Sequence, residues 1–195
     1  MENKMMYKES IDKDELAEMP LIQFEGEIML VETKESYLIS IEYLARQKIL
    51  GFDTETKPAF KKGTVYEVAL LQLATKDRAF LFRLNKIGLP NGLKNILENP
   101  EIEKIGVAIR DDIKSLQKLN HFIPGGFIEL QEHVKDYGIQ DFSLKKLSAI
   151  VLGHRISKAQ RVTNWEALEL SEAQLIYAAT DAWISHRIYE SLNQQ

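Results

Sequence analysis

Between residues 27 and 84 the chain carries four runs rich in β-branched and aromatic residues: "EIMLVET" (27–33), "KILGFDTE" (48–55), "YEVALLQLA" (66–74) and "RAFLFRL" (78–84). Runs of this length and composition, bounded by turn residues or charge, bury well only in a sheet. They read as consecutive, partly antiparallel strands. Between the first two, "SYLISIEYLARQ" repeats apolar residues at helical spacing and predicts a helix with Leu38, Ile41 and Leu44 on one side. After residue 85 helical patterns alternate with short buried strands: "LKNILEN", "EKIGVAI", "DDIKSLQKL", "GFIEL", "SLKKLSAIVLG" and a long final helix. That order defines an α/β chain with a mixed sheet.

At 195 residues and 45% hydrophobic content, such a chain fills one core rather than two. Residues 1–25 are charged and precede the first strand, so they read as a polar N-terminal arm. The net charge of −4 supplies no global basic field. Any grip on nucleic acid must then rest on local lysine and arginine clusters or on metal ions. There is no cysteine, which excludes disulfides, thiolate metal sites and cysteine nucleophiles, and a reducing cytoplasm is the expected compartment. No stretch approaches the ~20 apolar residues of a membrane span, and the first twenty residues lack the apolar core of a signal peptide.

The second run breaks its own pattern. Asp53 and Glu55 stand where a buried strand should still be apolar, and alternation along a strand sends both side chains to the same face. A further acid comes from the last helix. Ser171 with Gln174 forms a capping-box pattern that starts this helix near Glu172 and runs it to about Leu192. Within it, Tyr177 and Asp181 are four apart and share one face, beside the apolar set Leu175, Ala178, Ala182 and Ile188. A fourth acid is offered where "KIGVAI" turns through Asp111 and Asp112 into a helix, whose macrodipole would hold a carboxylate ionised. Carboxylates gathered in this way repel one another unless a cation joins them, and an all-oxygen set suits a hard ion such as magnesium or manganese.

Together, "GFDTET", "KIGVAIRDDIKSL" and "YAATDA" resemble, in order, the three exonuclease motifs of the DEDD superfamily of 3′-to-5′ exonucleases. Tyr177 and Asp181 fit the Tyr-x-x-x-Asp form of the last motif, which marks the tyrosine subclass; the histidine subclass would place its histidine at Ile176. The texts "VALLQLAT", "SLKKLSAIVLG" and "TNWEALELSEAQLIYAATDA" are similar to the Werner-syndrome exonuclease and ribonuclease D group, over about residues 25 to 192. One departure is Glu129, where relatives often carry an aspartate.

The resemblance implies a ribonuclease-H-like fold, a mixed sheet flanked by helices, with the exonuclease domain over residues 26–195. It implies catalytic roles for Asp53, Glu55, Asp112, Tyr177 and Asp181, the four acids holding two divalent ions, Mg2+ or Mn2+, and Tyr177 orienting the attacking water. In this register Asp111 is the neighbour and not the ligand. The implied partner is nucleic acid with a free 3′ end, DNA or RNA, cut to 5′-mononucleotides. "KPAFKKG" follows the first motif directly, so Lys57, Lys61 and Lys62 are expected near the metals with Phe60 placed to stack on a base. Arg155, Lys158 and Arg161 precede the last motif as further phosphate contacts. Trp165 and Trp183 read as packing residues, and Thr163 with Glu166 as a capping box. The alternatives are a nucleic-acid-binding module on the same fold that has lost turnover, and a metal-dependent phosphoesterase acting on a small nucleotide.

Overall fold

The computed structural model describes residues 7–61 and 63–194. In chain order, the first half contains α1 (Lys13–Glu18), β1 (Glu27–Val31), α2 (Lys34–Leu44), β2 (Ile49–Thr56), β3 (Val68–Ala74), β4 (Arg78–Arg83), α3 (Leu84–Ile87) and α4 (Asn91–Glu98). The second half contains β5 (Glu103–Gly106), α5 (Ile109–Leu119), β6 (Phe127–Glu129), α6 (Leu130–His133), α7 (Leu144–Leu152) and α8 (Glu172–Asn193).

The strands form one mixed sheet in the order β1-β4-β3-β2-β5-β6. The β4–β3 and β3–β2 pairs are antiparallel, whereas β1–β4, β2–β5 and β5–β6 are parallel. Every residue of β3 is buried, which explains its near-continuous apolar run: both faces of the sheet are covered. On one face Leu70, Ala74, Ala79 and Leu81 meet Ala178, Ala182 and Ile188 of α8. On the other, Leu50, Phe52, Leu73 and Phe82 meet Leu44 of α2, Leu93 and Leu97 of α4, and Leu116 of α5.

Helix α8 lies directly on the sheet because Gly51 of β2 has no side chain. A Cβ there would stand 1.8 Å from the carbonyl oxygen of Ala182. The contact brings α8 down at the point where Asp53 follows two residues later. Ser171 caps α8 with the reciprocal Gln174 bonds that the sequence implies.

Two local expectations are corrected by packing. Leu38 is 56% exposed, and α2 instead turns Tyr37, Ser40, Ile41 and Leu44 inward. Ser40 tolerates burial because its hydroxyl donates to the Ser36 carbonyl at 2.7 Å. Thr163 and Glu166 start no helix; the Thr163 hydroxyl donates to the Gln160 carbonyl at 2.8 Å and accepts from Gln174 Nε2 at 3.0 Å. The described part of the polar arm, residues 7–25, is seated on the body, with Ile11, Leu16 and Phe24 buried. Its backbone exchanges hydrogen bonds with Arg155: Ile22 N–H to the Arg155 carbonyl and Arg155 N–H to the Pro20 carbonyl, each 2.9 Å. Among the described residues, no helix is long and apolar enough to cross a membrane.

Candidate active site

Strand alternation and helical spacing converge at one end of the β2–α8 contact. Asp53 and Glu55 leave β2 toward α8, and Asp181 leaves α8 toward β2. One carboxylate oxygen from each of the three lies within 4.8 Å of the others. Glu55 and Asp181 are only 8% and 7% exposed, so water does little to screen them. Thr54, between the two strand acids, points to the opposite face, where its hydroxyl donates to Asp112 Oδ1 at 2.6 Å. Its N–H donates to Asp53 Oδ1 at 2.9 Å. Thr54 therefore ties the acid on α5 to the trio. Asp111 points away and pairs with Lys114 at 2.9 Å.

The start of α5 is held by Glu129, a contact that sequence reasoning noticed only as a departure from relatives. The backbone turns sharply after Gly106, where a Cβ would lie 2.7 Å from the Phe52 carbonyl oxygen, and Ala108 adopts a left-handed φ of 59°. The N–H groups of Ala108 and Ile109 then donate to the two oxygens of Glu129, each at 2.9 Å. A carboxylate from the end of β6 thus satisfies the helix N-terminus. Asp112 sits in the first turn of α5, and against the expectation that the helix dipole holds it ionised, burial pushes its pKa up to about 6 despite the Thr54 hydrogen bond. Glu129→Ala is expected to cost about 1–2 kcal/mol of stability, as for loss of a strong helix cap. Glu129→Gln, which keeps one acceptor, should fall between the two in a denaturant melt.

The other acids are pushed the same way. Asp53 is raised well above its ordinary value, first by burial and then by the charges of Asp181, Glu55 and Asp112. Burial, then Asp181 and Asp112, push Glu55 up to about 9, with Arg161 pulling it back. Burial pushes Asp181 up to about 7, against the Tyr177 hydrogen bond and the charge of Lys158. Tyr177 is raised too, by burial and then by Asp181 and Glu55, so its hydroxyl keeps its proton near neutrality. Mutual repulsion among oxygen donors with so few cationic neighbours is the signature of a site that fits hard divalent ions.

A cavity of about 390 Å3 opens onto the trio and Tyr177, and Lys158 and Arg161 also line it. Phe60 and Lys61 are not in it. They line a neighbouring cleft of about 320 Å3 with Lys57, Tyr66, Val162 and Asn164, and Phe60 is 87% exposed. Lys57 is held by Glu166 at 3.2 Å and stands 4.8 Å over the Tyr66 ring. Lys62 lies outside the described residues. Arg155 faces the arm, its Nε donating to the Met19 carbonyl at 2.9 Å, and it does not line the acid cavity. Trp165 is fully buried with its ring 6.0 Å from that of Tyr177, and Trp183 Nε1 donates to the Lys76 carbonyl at 3.0 Å. Both are packing residues.

A mixed sheet of this order, flanked by helices and carrying an acidic cluster against its long C-terminal helix, has the ribonuclease-H-like fold. The chain belongs to the 3′-5′ exonuclease family, whose family model matches residues 28–195. It is 32% identical over 201 residues to the bifunctional 3′-5′ exonuclease/ATP-dependent helicase WRN of Mus musculus, a match that covers 98% of this chain and 14% of that protein. It is 31% identical over 170 residues to ribonuclease D of Gluconacetobacter diazotrophicus, covering 84% of this chain and 42% of that one. The chain thus spans less than half the length of either relative. Among solved structures, the Aedes aegypti Nibbler EXO domain superposes with a TM-score of 0.79 at 24% identity, covering 89% of this chain and 91% of that one. Escherichia coli RNase D gives 0.76 at 22% identity, covering 85% and 44%. These two superpositions establish the fold.

Proposed function

We propose that this chain removes 5′-mononucleotides one at a time from the 3′ end of DNA or RNA, using two divalent ions, Mg2+ or Mn2+. The observation that carries the reading is the convergence of Asp53, Glu55 and Asp181 within 4.8 Å, in a cavity that also holds Tyr177, Lys158 and Arg161. A module that only bound nucleic acid would have no use for buried carboxylates whose repulsion weakens its fold.

When bound, the ions neutralise the scissile phosphate and make a water nucleophilic near neutral pH. Asp53, Glu55 and Asp181 would hold one of them. Asp53 would also face the other, with Asp112 behind Thr54 completing that side. Tyr177 keeps its proton and therefore orients the attacking water through its hydroxyl rather than removing a proton from it. Lys158 and Arg161, on the cavity wall, would hold the phosphates next to the cut. Phe60 and Lys61, in the adjoining cleft, would receive a base and phosphate further from the 3′ end.

A strand labelled at its 5′ end should give a descending ladder with release of nucleoside 5′-monophosphates, and excess chelator should stop it. Release of 3′-monophosphates, or turnover that persists in chelator, would overturn the proposal.

A further inference from the structure

One polar side chain on the acid-bearing face takes no part in the chemistry above. Gln72, in the middle of β3, is fully buried, and neither its Nε2 nor its Oε1 has a hydrogen-bond partner. The rest of β3 is apolar, "VALL-LA" around the glutamine. Leaving a buried amide unsatisfied costs about 1–3 kcal/mol, so a residue kept only for packing would be apolar here.

The sheet register shows what the amide faces. Gln72 is paired directly with Asp53 on β2 and with Leu81 on β4. Directly opposed side chains of an antiparallel pair leave the same face with Cβ atoms about 4.5–5.5 Å apart, a gap that a glutamine amide spans. Glu55 is on one diagonal. On another is Arg83, whose Nη1 makes no hydrogen bond and stands 3.7 Å from the Glu32 carboxylate. The amide therefore has two acids on the β2 side and an arginine on the β4 side. The hydrogen bond Asp53 accepts from Thr54 N–H leaves its carboxylate with acceptor positions to spare.

We propose that Gln72 is a positioning residue for the metal site, its Nε2–H donating to the Asp53 carboxylate when that carboxylate turns onto a cation. The inference rests on the metal-site reading above. Outer partners that fix a ligand's orientation typically contribute 10- to 100-fold to metal affinity, roughly the effect expected here.

Gln72→Met removes the amide and nearly preserves side-chain length and volume. Wild type and Gln72→Met are compared in thermal melts with chelator, in calorimetric titration with Mn2+ alone, and in turnover of a labelled strand. The expected result is an unchanged or raised melting temperature without metal and a Mn2+ dissociation constant raised about 10- to 100-fold. The rate at saturating metal falls less, and KM for the strand is unchanged. Equal Mn2+ affinity in the two proteins overturns the proposal. So does a lowered metal-free melting temperature or failure to fold, with or without a change in affinity, because the amide would then be holding the core. A wild-type protein that binds no Mn2+ overturns the metal-site reading itself, a different outcome from wild-type binding that the substitution leaves intact.

Discussion

Asp53→Ala is expected to leave essentially no nucleolytic turnover, the largest loss from any single substitution in this protein. Asp53 belongs to the trio that converges within 4.8 Å and also feels the charge of Asp112, as a carboxylate shared between two ions would. Its removal takes away a donor that no neighbour replaces, so metal affinity falls together with rate. Tyr177→Phe is the contrasting case. It leaves all four acids in place and removes only the orienting hydroxyl, for a loss of at most ~10²- to 10⁴-fold in rate. Single-turnover assays and Mn2+ titrations on the two variants separate the roles. Wild-type Mn2+ affinity in Asp53→Ala would contradict the assignment of Asp53 as a ligand.

The second large effect is on stability, and it reverses sign with metal. The folded-state pKa values of Glu55, Asp181 and Asp112 are raised to about 9, 7 and 6 from ordinary carboxylate values. The folded protein therefore binds more protons than the unfolded chain across this range, and its stability falls as pH rises. That contribution is fully present below about pH 4, the unfolded value, and is lost progressively as pH climbs through about 6 to 9. In chelator, the melting temperature should decline over this window. A divalent ion that binds only the folded form opposes the decline, and its benefit grows with pH as protons cease to compete. At one hundred times its dissociation constant it adds about 2.7 kcal/mol, or roughly 5–11 °C for a chain of this size. Asp181→Asn removes both a repulsive charge and a ligand. Its metal-free form should melt higher than wild type at pH 8, and its Mn2+ increment should be smaller. Melts of both proteins, with chelator and with millimolar Mn2+, test this directly. Coincident curves in all four conditions would show that these carboxylates form no metal site.

Much of this architecture is legible without coordinates where it depends on local periodicity. Strand alternation puts Asp53 and Glu55 on one face, helical spacing puts Tyr177 beside Asp181, and Ser171 with Gln174 announces the start of α8. Each follows from backbone geometry repeated every few residues, which a sequence displays openly. The same logic misplaces Leu38, because the stripe that packs is chosen by the neighbouring sheet and not by the helix itself. It also misreads Thr163 and Glu166, whose capping pattern is used instead to tie a loop to Gln174 and Lys57.

What the sequence by itself determined is therefore the order of the elements and the face on which each acid stands. Only the tertiary structure decided how those faces meet. Gly51 lets α8 approach until Asp181 joins the trio, Glu129 reaches across from β6 to hold the turn into α5, and the β2–β3 register sets Gln72 opposite Asp53. It also separates Phe60 and Lys61 from the acid cavity while admitting Lys158 and Arg161. These relations join residues far apart along the chain, and they depend on register, helix approach and burial. Those quantities are fixed by the packing of whole faces against one another, which no local stretch of sequence contains.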